Sequence, residues 1–497
     1  MLKICFLILI AMLLYRRISS WILMYYKQGP FGDGSTYLFL HQFWLNNKFG
    51  AEDQRALLSG RPVTEGGIYF FFLRIFPLAI HRNLPWLPNF SLLCILWLVM
   101  LYAGYIMGIN RVEYLLLLTI ILLASPEVFV NDAYRMQFFT IQPRYFGALL
   151  ANLIYLIIVF ESQLWNPESY LMVAGVFVVS CLLLDTSVFS RQIYLFMLFP
   201  ASLTVGDVMF PLVLVTSLLV ACLSGVFRAK LLAQLKYTSA YFKQRSDCFD
   251  YRRSMSKNKF VRLGSNIFKS IFMSTAKQLL DYVPSFFLVF LLHLENYSLD
   301  INLLALDVSL LLAVFFTLRV NAVLGEGWRY LTFSLHLSMP LVAVYVLNLY
   351  GFTDGMITYL ILVALIPLIH LLFDREGPIN PNSEVFGLLD RSELASDERV
   401  LYCVPYRLGT AAVAMEKAAK TTEEQCGNAD SDFMSRYFAK WPGLLNTNSD
   451  WISEAKPNLV LADKVIFSEW VKLADGLFVS RMKKIGETEN YMLFKYS

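Results

Sequence analysis

Apolar residues fill a series of stretches long enough, at about 17 to 25 residues each, to cross a bilayer. They fall near 4–26, 67–81, 91–109, 112–130, 146–161, 168–184, 188–205, 208–227, 279–295, 302–318, 329–349 and 355–373. Arg16 and Arg17 interrupt the first, and residues 91–130 read as two helices or as one long helix kinked around Gly108 to Glu113. Three longer polar connections separate these stretches: 27–66, 131–145 and 228–278. Beyond residue 373 the periodicity changes. Val400–Pro405 and Asn458–Asp463 read as short strands, Gly409–Thr421 as an Ala-rich helix and Phe467–Phe478 as an amphipathic one. Residues 482–496 complete the pattern as a hairpin turning at Gly486 to Asn490. The expected fold class is an all-α polytopic membrane bundle of about 11–13 transmembrane helices over 1–373, followed by a soluble α/β domain over 374–497.

Composition sharpens this picture. With 57% hydrophobic and 16% charged residues, the chain is too apolar to keep its surface in water, so the lipid bilayer is its first partner. Half of the 38 acidic residues lie beyond position 373, which marks the domain boundary. The net charge of +4 comes mostly from the 228–278 stretch and gives no support to nucleic-acid binding. No CxxC occurs and the five histidines show no ligand spacing, which argues against a Cys/His zinc site. No small-residue cleavage site follows the first apolar run, so no cleavable signal peptide is expected.

Candidate chemistry lies in the polar breaks. In Gly29-Pro30-Phe31-Gly32-Asp33-Gly34-Ser35-Thr36-Tyr37, Asp33 sits between two glycines just after the first apolar run, on backbone that bends sharply. A helix lying flat in the interface follows, with Leu38, Gln42 and Leu45 on one stripe. Asp33 then serves either as a cap for that helix or as a carboxylate turned toward a cavity. Residues 125–147 place Asp132, Arg135 and Arg144 directly before an apolar helix. Asp185, Thr186, Ser187, Ser190 and Arg191 interrupt otherwise continuous apolar sequence, at a depth where ionisable groups face a cavity or a partner. Mutual pairing of Asp185 and Arg191 is the plainest account of those two.

This order of parts resembles the membrane glycosyltransferases of the GT-C superfamily, which use a polyprenyl-phosphate-linked sugar as donor. Shared are a first helix, an external loop with an early Asp in an interfacial helix, an Arg-bearing loop before a mid-chain helix, and a terminal external α/β domain. The segment Gly32-Asp33-Gly34-Ser35-Thr36-Tyr37-Leu38-Phe39, followed by a helix starting near Glu65, carries the local likeness. The resemblance implies that Asp33 is the catalytic base or helps bind a divalent metal such as Mg or Mn. It also implies an acidic partner, a position that Glu65 fills. The family's paired prolines are missing from Arg61-Pro62-Val63-Thr64-Glu65-Gly66-Gly67, which leaves the metal cofactor open.

The residues fit such chemistry in their own right. A hydroxyl of the acceptor, whether a glycan, a lipid or a protein, needs a base to attack the anomeric carbon, and the departing lipid phosphate needs cations. Asp33 supplies the first. Arg144 and Arg191 match phosphate oxygens with two-point forks, and Glu65, Asp132 and Asp185 complete the expected substrate-binding set. A single carboxylate suffices for displacement with inversion. An O-antigen-type polymerase is chemically close, and a transporter or flippase of lipid-linked sugars is the other alternative, but no internal repeat supports the latter.

Topology pulls in two directions. The 12 Lys/Arg of 228–278, against Asp247 and Asp250, place that loop in the cytoplasm by the positive-inside rule. Treating 91–130 as one kinked span instead puts Asp33, Arg144, Arg191 and the tail on the external face, periplasmic in a bacterial inner membrane. That reading exports the basic loop, which then meets the donor's phosphate.

Overall fold

The computed structural model describes residues 29, 33–47, 67–124, 141–225, 227–228, 230–232, 234, 280–295, 297, 300–318, 321, 330–332, 335, 337–373, 382–404, 407–421, 457–464, 467–468, 471 and 479–496. The first apolar run, residues 125–140 with Asp132, Glu65 and most of the basic loop therefore lie outside the described residues. Apolar helices make up most of the described chain, and a small mixed sheet stands near its C-terminus.

The first connection contributes α1, Asp33–Asn47. The apolar run expected at 67–81 is not a single helix. It forms α2, Gly67–Leu73, and α3, Leu78–Asn83, separated by a break at which Pro77 precedes α3. Each is too short to cross a bilayer at 1.5 Å per residue. The run at 91–130 is likewise not one kinked span. It folds as α4, Leu87–Ile106, and α5, Val112–Leu123, antiparallel about a turn in which Gly108 takes φ 79°. A 2.8 Å hydrogen bond from Trp97 Nε1 to Thr119 Oγ1 ties the two together.

The bundle continues with α6, Pro143–Val159, and α7, Tyr170–Thr186. Helix α8 opens at Val188–Ile193, widens into a π-turn over Tyr194–Leu198 and closes at Phe199–Ser202. Then come α9, Met209–Leu223, α10, Val283–Leu294, α11, Leu303–Thr317, α12, Ser338–Tyr350, and α13, Asp354–Phe373. Of the described helices, Leu87–Ile106 is long and apolar enough to cross a membrane by length and composition alone, and shorter apolar helices pack around it. The bundle leaves large apolar side chains uncovered: Tyr102 is 67% exposed, Leu219 61% and Leu311 69%. A surface of this kind is solvated by lipid, and helices suit it because they satisfy their own backbone hydrogen bonds.

The tail holds α14, Asn382–Leu389, and α15, Arg407–Ala414, against a five-stranded sheet. Its strands are β1, Val400–Val404, β2, Lys420–Thr421, β3, Leu459–Asp463, β4, Met482–Glu487, and β5, Tyr491–Tyr496, in the order β2-β1-β3-β5-β4. β1 runs parallel to β2 and β3, while β5 is antiparallel to β3 and β4. Both strands and the terminal hairpin match the sequence pattern. The Ala-rich helix does not reach Thr421, because Lys420 and Thr421 pair with Val400 and Leu401 as an extra strand. Gly409 lets α15 approach this edge, where any Cβ would collide with Thr421.

Candidate active site

One end of the bundle gathers Asp33, Arg144, Asp185 and Arg191, the described members of the ionisable set that the sequence singled out. Asp33 is the first residue of α1, within its first turn rather than ahead of it. Helix α1 packs Leu38, Phe39 and Leu40 against Tyr69, Phe70 and Leu73 of α2, with Ile141 and Ala414 in the same buried cluster. Ile141 stands two residues before α6, so the start of α6 and the tail share the end of the molecule occupied by α1.

Arg144 occupies the first turn of α6, where its guanidinium lies over the Phe189 ring at 4.7 Å from the centroid. The close approach of α6 and α8 that permits this stacking depends on Gly147, where any Cβ would run into Ser190 Oγ. Ser187 caps α8 by accepting from Ser190 N at 3.2 Å, which sets the helix start beneath Arg144. Stacking on the aromatic face fixes the plane of the guanidinium, whose Nε and Nη1 are buried at this site.

Asp185 does not pair with Arg191. Its Oδ1 accepts from Lys230 Nζ at 2.6 Å and its Oδ2 from the backbone N of Ile68 at 3.1 Å. Gly67, at φ 44°, allows this contact, since a Cβ there would lie 2.5 Å from the Asp185 carbonyl oxygen. A single carboxylate thus joins the end of α7, the return of the first loop and the start of the basic loop. Arg191 turns elsewhere: Nε donates to Gln234 Oε1 at 2.5 Å and Nη1 to the Leu184 carbonyl at 3.2 Å, and the residue is 5% exposed. Gln234 Nε2 donates in turn to the Val188 carbonyl at 3.3 Å. Lys230 and Gln234 therefore hold the stem of the basic loop over the ends of α7 and α8.

Sequence reasoning missed Lys230, Gln234 and Phe189. Lys230 counted only as bulk charge, and nothing in its spacing separates it from its basic neighbours. A second omission concerns histidine. His41 on α1 and His81 on α3 are both buried with ring centroids 5.0 Å apart, although 40 positions separate them in sequence. Burial first, then the charges of His81 and Arg74, pushes the His41 imidazole down to about 3, so it is neutral at physiological pH. His81 Nε2 sits 3.0 Å from the Leu73 carbonyl. Among the described residues no three His, Cys, Asp or Glu gather as a metal site. Glu65 and Asp132 lie outside the described residues.

The opposite end of the bundle has the reverse charge. Its described turns and helix ends bear Glu113, Glu161, Glu168, Asp207, Glu295, Asp300 and Asp354, against Arg111 as the lone Lys or Arg among the described residues there. Contacts between Trp165 and Asp207, Gln163 and Tyr345, and Tyr297 and Thr353 close this end.

No family model matches the chain, and no curated protein matches it. Two solved structures are similar to it over 98% of its length and 97% of theirs, each at 9% identity. They are ArnT from Cupriavidus metallidurans bound to undecaprenyl phosphate, at a TM-score of 0.48, and ArnT from Cupriavidus metallidurans in the apo state, at 0.38.

Proposed function

We propose that this protein is a membrane glycosyltransferase of the GT-C type, which transfers a sugar with inversion from a polyprenyl-phosphate donor to a glycan, lipid or protein acceptor. The observation that carries the reading is the assembly of Arg144, Lys230 and Arg191 at the end of the bundle where α1 opens with Asp33. An anionic lipid headgroup arriving there meets the positive end of a molecule whose other end repels it.

In the proposed reaction Asp33 takes the proton of the acceptor hydroxyl, and the hydroxyl oxygen attacks the anomeric carbon. The bond from that carbon to the phosphate oxygen breaks, and the polyprenyl phosphate leaves with the electron pair. Arg144, held flat on Phe189, binds the departing phosphate, where fixed cations lower the barrier most. Lys230, paired with Asp185, lies at the same end of the bundle. Arg191 and Asp185 act mainly by fixing the ends of α7 and α8, since their hydrogen bonds run to protein groups. Incubating purified protein with an undecaprenyl-phosphate sugar tests the reading. Release of undecaprenyl phosphate is expected, and its absence with every acceptor class tried overturns the assignment.

The reading carries an orientation, with the site and the tail on the external face, periplasmic in a bacterial inner membrane. Two corrections to the helix count offset each other in its support: 67–81 does not span, and 91–130 provides two helices rather than one. A cytoplasmic N-terminus and an odd number of crossings then leave the tail outside. The charge of the connections pulls the other way, since basic loops favour the cytosol. Supporting the external reading, Lys230 of the basic stretch is engaged by Asp185 at the end of the bundle that carries the tail. A reporter fused after Ser497 is expected to be active in the external compartment. Activity confined to the cytosol reverses the orientation without touching the chemistry.

A further inference from the structure

Three consecutive residues at the end of α15, Ala414 to Glu416, each touch a different part of the membrane domain. The Ala414 carbonyl accepts a 2.9 Å hydrogen bond from Gln42 Nε2 of α1. Met415 fills the space beside Gly29, where a Cβ would stand 2.5 Å from its Sδ. Glu416 Oε1 meets Arg82 Nη2, at the end of α3, at 2.5 Å. Gly29 itself takes φ 71°, so both its conformation and its surroundings favour glycine.

The backbone makes this turn notable. Lys417 N donates to the Ala412 carbonyl at 2.7 Å and Glu416 N to the Val413 carbonyl at 3.0 Å, the paired closure that ends a helix with one left-handed residue. That residue is Glu416, at φ 57°, where glycine fits without steric cost. The sequence places a side chain there that strains the turn and contacts Arg82. Glu416 is also 72% exposed, so its ion pair adds little to stability. Neither local backbone preference nor pair energy accounts for a glutamate at this position, whereas fixing the direction in which the tail meets α1 and α3 does.

We infer that the turn at 414–416 is an intramolecular docking element through which the C-terminal domain holds α1, with Glu416 and Arg82 as positioning residues. The inference rests on the glycosyltransferase reading only in its consequence: α1 opens with Asp33, so a loosened α1 misplaces the proposed base. Displacement of a reacting group by about 1 Å costs as much as a hundredfold in rate.

The test uses the full-length protein in detergent or nanodiscs and pairs two measurements. Replacing Glu416 with Gly removes the contact and relaxes the turn. Amides of residues 38–42 are expected to exchange about tenfold faster with deuterated water, while the melting temperature holds or rises. Turnover of the polyprenyl-phosphate sugar is expected to fall about five- to fiftyfold with donor KM unchanged. Arg82→Gln, which leaves the tail intact, should reproduce both effects, and the swap Arg82→Glu with Glu416→Arg should restore them in part. Unchanged exchange in both single variants overturns the docking role, whatever the activity does. Faster exchange in a protein whose wild type turns over no donor leaves the docking standing and removes the glycosyltransferase reading instead.

Discussion

At the end of the bundle that carries the tail, Arg144, Arg191 and Lys230 are each gripped by a group from another element. The far end turns its chain with Glu113, Glu161, Asp207, Glu295 and Asp300, and there Asp207 and Asp300 act on Glu161 as like charges. The contacts of the first end bridge long sequence distances: Asp185 meets Lys230 45 residues on and Ile68 117 residues back. Such contacts require α2, α7 and the chain after α9 to be brought together before they form. A protein that needed only solubility at its membrane surfaces would have no reason to engage its cations in this way. The proposed function accounts for this difference: a donor phosphate would bind at the basic end and be repelled from the acidic one.

The largest effect that would break this comparison comes from the carboxylate on the basic side. Asp33→Asn is expected to lower turnover by about a hundredfold or more, the contribution of a general base, with an unchanged melting temperature. Asp207→Asn, at the acidic end, should leave turnover within about twofold. A purified Asp33→Asn protein that retains more than about a tenth of wild-type turnover removes Asp33 from the chemistry.

How much of this was legible in the sequence differs between the parts. The strands Val400–Val404 and Leu459–Asp463 and the terminal hairpin follow from short apolar runs and turn residues, because local pattern decides them. The helices of the bundle follow in the same way. The misreading of 67–81 and the ambiguity at 91–130 share a cause: hydropathy measures how apolar a run is and not whether the chain breaks or reverses inside it. Pro77 breaks one run and Gly108 the other, and the second break reverses the chain. At the site, Arg144, Asp185 and Arg191 stood out because charge is rare in apolar sequence. Their partners did not, since whether Asp185 meets Arg191 or Lys230 depends on helix packing that no spacing encodes.

The two arginines allow an intermediate test. Lys in place of Arg144 keeps the charge but loses the fork and the flat face resting on Phe189. Arg144→Lys is therefore expected to lower kcat/KM for the donor about tenfold or more with little change in stability. Arg191 spends Nε and Nη1 on Gln234 and the Leu184 carbonyl, so Arg191→Lys should mainly lower the melting temperature and reduce donor kcat/KM less. Equal kinetic losses in the two variants would mean that both guanidiniums grip the phosphate, and the positioning role given to Arg191 would be wrong.

The smallest expected effect lies at the acidic end, where Glu161 should report the repulsion directly. Burial, followed by the charges of Asp207 and Asp300, raises its carboxyl above the ordinary value of 4.5. A raised value means that the folded protein holds the proton more tightly than the unfolded chain does. Stability from this group is therefore fully present below the ordinary value and is lost as pH rises through the raised one. Glu161→Gln, which cannot ionise, should melt later than wild type at about pH 8. Because solvent screens a partly exposed group, the gain is expected to be about 0.5 kcal/mol or less, a shift of about one degree. At about pH 4 the wild-type side chain is already protonated, so the two proteins should melt together. Thermal melts of both proteins across that range check the sign. A Gln variant that melts no later at pH 8, or whose advantage persists at pH 4, would show that the acidic end is not under electrostatic strain and would leave the contrast between the two ends to the basic side alone.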